Sequence, residues 1–113
     1  MKFDIKTPFE HFDDLVLILR ERGLKIRGNV FSVSPWFFAS TFSSRKFVHC
    51  ELKGSCIMID LMEQANSPCG SPLCVETLCF DVGSISFDYI SFTDMCYQVE
   101  KWIVPNYIRE WIK

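Results

Sequence analysis

The sequence predicts an α+β fold. A single domain over residues 1–113 would hold an antiparallel sheet of about five to six strands, with an N-terminal helix and a Pro-kinked C-terminal helix packed on one face. Three observations carry this expectation. Thr7 to Gly23 reads as a helix with both ends marked, Lys46 to Met62 reads as a complete hairpin, and Thr93 opens a second helical stripe. Strands gathered between two helices by short connections form a meander that buries one face.

The first helix announces itself through Thr7-Pro8-Phe9-Glu10. This is a capping box, in which the Thr7 hydroxyl accepts from the Glu10 amide and the Glu10 carboxylate reaches back to the Thr7 amide. Pro8 stands at the first helical position, where its missing N–H costs nothing. Phe9, Phe12, Leu15, Val16 and Leu19 recur at helical spacing and mark the face to be buried. Acids lie early and bases late, which complements the helix dipole, and Gly23 ends the element.

Leu24 to Val33 reads as a short hairpin turning at Gly28-Asn29, with Leu24 facing Val33 and Ile26 facing Phe31. A further strand is expected over Trp36 to Phe42. It sets Trp36, Phe38 and Phe42 on one side and Phe37, Ala39 and Thr41 on the other, so that something is expected to cover each face. The central hairpin follows. With Gly54-Ser55 as a type II′ turn, Leu52 faces Ile57, Cys50 faces Ile59 and Val48 faces Leu61, all apolar, while Lys53 faces Cys56. The other face carries Phe47 opposite Met62, His49 opposite Asp60 and Glu51 opposite Met58. A slip of one residue would turn the whole apolar set outward, so the pattern specifies its own register.

Glu63 to Pro72 has loop chemistry, and Leu73 to Asp81 and Ser84 to Ser91 read as two more strands. Thr93 reads as the N-cap of the last helix, with Met95, Val99, Trp102 and Ile103 as its apolar stripe. Pro105 breaks or kinks it, leaving Ile108, Trp111 and Ile112 on a second segment.

A net charge of -2 with scattered bases argues against a nucleic-acid binder. Leu15 to Leu19 is too short to span a membrane, and the N-terminus has no apolar core of an export signal, so a cytoplasmic protein with six reduced cysteines is expected. Free cysteines such as Cys50 and Cys56 then behave as small hydrophobes.

Two constellations suggest chemistry. His49 and Asp60 oppose one another in the hairpin, where a carboxylate orients an imidazole, but no nucleophile accompanies them. Cys69, Cys74 and Cys79, with His49 or Cys50 as fourth ligand, sit at the edge of zinc-site spacing, and Cys69 lies alone in the Pro68-Cys69-Gly70 loop. Phosphate-cradling loops, nucleophile elbows and two-His zinc helices are absent from the sequence, so no catalytic residue, metal ligand or cofactor is assigned.

The aromatic supply is larger than the motifs. Aromatic side chains mainly fill cores, but an exposed cluster would be a protein-binding patch. Trp36 and Trp111, with the acids Glu51, Asp60 and Glu63 steering a basic partner, are the candidate contact residues. The expected function is a small protein-binding module, an inhibitor or immunity-type antagonist, with a homodimer as a further arrangement. The alternative is a small enzyme or a metal- or ligand-binding domain using His49 and Asp60 or Cys69, Cys74 and Cys79.

Overall fold

The computed structural model describes residues 6–41, 45–64 and 70–103. They form helix α1 (Pro8–Glu21), strands β1 (Lys25–Asn29), β2 (Trp36–Ser40), β3 (Lys46–Lys53), β4 (Cys56–Glu63) and β5 (Leu73–Asp81), then helix α2 (Tyr89–Ile103). The strands make one antiparallel sheet in the order β1-β2-β3-β4-β5.

The capping box forms as expected: Thr7 Oγ1 accepts from Glu10 N at 3.2 Å, and Thr7 N donates to Glu10 Oε1 at 2.7 Å. At the other end Leu24 N reaches Leu19 O and Gly23 N reaches Arg20 O, with Gly23 at φ 88°. That pair of bonds is a Schellman motif, which requires the left-handed residue that glycine supplies. Phe12, Leu15, Val16 and Leu19 are buried, but Phe9 is 49% exposed. At 3.6 residues per turn Phe9 lies roughly 70° around the helix from the centre of that stripe, so it falls off the buried face.

The central hairpin has the expected register at every position, from Lys46↔Glu63 to Lys53↔Cys56. Gly54 has φ 61° and no described residue other than glycine has a positive φ, which fits a II′ turn and excludes I′. Val48, Cys50, Leu52, Ile57, Ile59 and Leu61 are buried and join Phe37 and Ala39 of β2. The same cluster holds Phe12, Leu15 and Leu19 from α1 with Met95, Cys96, Val99 and Ile103 from α2, so both helices cover one face of the sheet. Trp102 Nε1 donates to Phe47 O and Met62 O at 3.2 and 2.9 Å, pinning α2 across β3 and β4.

Three sequence expectations are corrected. The hairpin turning at Gly28-Asn29 does not form: β1 runs through both residues and pairs with β2, placing Ile26 opposite Ala39 and Gly28 opposite Phe37. A Cβ on Gly28 would lie 2.4 Å from Trp36 O, so this glycine serves close strand approach rather than a turn. Pairing with β2 extends the buried sheet, whereas an isolated two-stranded ribbon is marginal; Phe31 and Val33 are left 92% and 91% exposed.

Ser84 to Ser91 is not a strand. Asp81 Oδ1 accepts from Gly83 N and Ser84 Oγ from Ser86 N, side-chain bonds that compete with a ladder. The N-cap of α2 is therefore Asp88, not Thr93: Asp88 Oδ1 accepts from both Ser91 N and Ser91 Oγ at 2.9 Å, and Thr93 lies inside the helix. Phe42, Pro105 and the segment beyond it lie outside the described residues.

Gly28→Ala should lower stability by about 1–3 kcal/mol, because the positive-φ backbone and the Trp36 carbonyl both resist a Cβ. Chemical denaturation of both proteins checks this; an unchanged midpoint would mean that β1 and β2 do not pack as described.

Candidate protein interface

Side chains alternate along a strand, so burying one set on β2, β3 and β4 turns the other set outward. The outward set is Trp36 and Phe38 from β2, Phe47, His49 and Glu51 from β3, and Met58, Asp60 and Met62 from β4. Across β2 and β3, Trp36 stands opposite Glu51 and Phe38 opposite His49. No described helix lies over this face.

The rings form a continuous row. Trp36 and Phe38 meet edge to face at 5.6 Å, Phe38 lies 4.9 Å from the His49 ring and 6.0 Å from Phe47, and Trp36 is 6.0 Å from His49. Phe38 is 39% exposed, and a hollow of about 690 Å³ beside the row is lined in part by Arg27, Trp36, Phe38 and Phe47. The carboxylates lie on the other side of the row. His49 Nδ1 is 3.4 Å from Asp60 Oδ2, and Thr77 Oγ1 of β5 donates to Asp60 Oδ1 at 2.8 Å. Glu51 has Lys53 Nζ at 3.9 Å on a half-exposed surface, a pair that screening leaves weak.

Of the five residues proposed from sequence, Trp36, Glu51 and Asp60 come together on this face. Glu63 does not: it sits at the end of β4 with the opposite alternation, facing Lys46 and Leu73. Trp111 lies outside the described residues. Sequence reasoning missed the parts played by Phe38 and His49, since their apposition depends on the β2–β3 register, and a connection of uncertain length separates those strands.

The His49–Asp60 pair forms as expected and is oriented by Thr77, whose Oγ1 in turn lies 3.6 Å from the Cys74 thiol. Cys74 and Cys79 are exposed on β5, opposite Met62 and Met58 of the outward set, whereas Cys50 is buried in the core on the other side of the sheet. Cys50 is therefore no fourth ligand for them; Cys69 lies outside the described residues. No cluster of three or more metal-ligating side chains occurs among the described residues.

No protein-family model, curated protein or solved structure matches this chain.

Burial raises the Cys50 thiol well above its ordinary pKa, and burial with Glu100 nearby pushes Cys96 up to about 12. Alkylation at pH 8 should therefore leave Cys50 and Cys96 unmodified in the native protein and modify them only after denaturation. Cys74 and Cys79 should react in the native state, with Cys79 slowed because desolvation and the neighbouring Cys56 thiol raise its pKa. Peptide mass spectrometry reads each site, and native labelling of Cys50 would contradict the placement of β3.

Proposed function

We propose that this chain works by binding another protein through the uncovered face of its sheet, and that it acts there as an inhibitor or immunity-type antagonist. The observation that carries this reading is the row Trp36, Phe38, Phe47 and His49 standing next to Glu51 and Asp60 on one face. Tryptophan and other aromatics anchor interfaces because they bury large area at small conformational cost, and adjoining carboxylates favour a basic partner. The occupant is a protein segment that lays an apolar stretch on the aromatic row and presents Lys or Arg to Glu51 and Asp60.

A reducing, cytoplasmic setting fits this reading, since the five described cysteines are all free thiols. Among the described residues no helix is long and apolar enough to cross a membrane.

Parallel affinity capture with the wild-type chain and a Trp36→Ala/Phe38→Ala variant tests the interface. Both residues are partly exposed, so the variant should stay folded, which its melting curve checks. A partner that is stoichiometric on the wild type should be lost from the variant, and its own activity should fall when the wild-type chain is added back. Equal capture by both proteins would remove the face as the interface.

A second copy of the chain is the occupant we propose for the β5 edge. β5 is nine residues long, has no strand on its outer side among the described residues, and exposes Leu73 and Val75. A long apolar edge offers its free backbone groups to another strand. Light scattering should find a dimer for the wild type and a monomer for Val75→Lys; a monomeric wild type at high concentration would exclude the edge pairing.

A further inference from the structure

The strand registers share one line across the whole sheet. Arg27 of β1 stands opposite Phe38 of β2, Phe38 opposite His49 of β3, His49 opposite Asp60 of β4, and Asp60 opposite Thr77 of β5. Directly opposed residues project to the same face of a sheet, so all five belong to the uncovered face. The line runs from a cation through two rings to a carboxylate.

The surroundings reinforce this polarity. At the β1 end, the hollow of about 690 Å³ is lined by Arg27 and Arg45 beside Trp36, Phe38 and Phe47, and no acid of the described residues lines it. At the β4 end, Asp60 is held by His49 Nδ1 at 3.4 Å and Thr77 Oγ1 at 2.8 Å, yet its side chain stays 33% exposed. Neighbouring strands lie about 4.8 Å apart, so the steps from Arg27 to Asp60 cover about 14 Å. An extended chain advances about 3.4 Å per residue and turns every second side chain to one side, so its positions i, i+2 and i+4 also span about 14 Å.

We propose that the partner meets this line with an extended segment lying across the strands, which sets a carboxylate at Arg27, an apolar side chain against Phe38 at the hollow, and a Lys or Arg at Asp60, on alternate residues. The proposal rests on the reading of this face as a protein interface, and adds to it the acid and the spacing. A wholly basic segment would gain Asp60 but meet repulsion at Arg27. A helix advances only about 1.5 Å per residue and would need its acid and base about nine positions apart to cover the same line. The phosphates of a single-stranded nucleic acid would meet Asp60 and Glu51 on this face.

The test titrates the isotopically labelled full chain with three capped peptides and follows amide chemical shifts. Each peptide has a central Phe flanked by serines, and the outer charged pair is Glu with Lys, Lys with Lys, or Glu with Glu. The mixed peptide should shift Arg27, Phe38, His49 and Asp60, and bind about fivefold more tightly than either like-charged peptide at low salt, the scale of one exposed ion pair. That margin should shrink as salt rises from about 0.02 M to about 0.5 M, because exposed charges are screened. Arg27→Glu, at an exposed position, should make the Lys-with-Lys peptide the tightest, and Asp60→Asn should erase the advantage of the mixed peptide over the Glu-with-Glu one. Equal or tighter binding of the Lys-with-Lys peptide by the wild type, an unchanged order in Arg27→Glu, or no shift on this face with any of the three would each overturn the proposal. So would tighter binding of a peptide with helical spacing, displacement of the mixed peptide by oligothymidylate, or shifts that follow protein concentration because a second copy covers the face. The capture experiment with Trp36→Ala/Phe38→Ala reads whether the face is used at all, so a partner lost there with the wrong peptide order removes this segment and leaves the interface.

Discussion

The register of the β3–β4 ladder is the constraint on which the rest of the structure depends. Val48, Cys50 and Leu52 against Leu61, Ile59 and Ile57 place six side chains in one buried patch, and any one-residue slip would exchange them for His49, Glu51, Asp60 and Met58. Desolvating two carboxylates and an imidazole costs far more than burying thiol and hydrocarbon gains. The alternative registers are thus disfavoured by the same residues that make the outer face chemically interesting. Phe37 and Ala39 continue the patch onto β2, and both helices deliver their apolar stripes to it.

This economy explains which parts of the chain were legible in sequence. The α1 caps are specified by near neighbours in the chain and the central hairpin by pairs that fan out from one turn, Lys53–Cys56 to Lys46–Glu63, and there the local signals agree with the final structure. The β1 segment is different: Gly28-Asn29 has turn chemistry locally, yet the buried sheet offers Ile26 a place opposite Ala39 that a local hairpin cannot. Long-range burial overrides the turn signal, and the glycine is used for close approach instead. Ser84 to Ser91 reads as a strand in sequence although it lacks clean alternation, but serine and aspartate oxygens capture the nearby amides and cap a helix at Asp88. Asp and Ser serve caps and turns for one reason, and hydrophobic period alone does not separate the two outcomes.

The candidate sites divide in the same way. His49 opposite Asp60 was readable because it lies within one hairpin. Trp36 opposite Glu51, and Phe38 opposite His49, require the β2–β3 register, which no turn of defined length announces. Arg27 opposite Phe38 depends in turn on the β1–β2 register, which the turn chemistry of Gly28-Asn29 conceals.

Two helices suffice to bury one side of this sheet, so the fold needs nothing from the side chains on the other. Trp36, Phe38 and Phe47 would nevertheless be replaced by polar residues at no cost in core packing, and solvent-facing aromatics in a row tend toward association. Their presence beside an oriented His49–Asp60–Thr77 arrangement is what supports the proposed binding role.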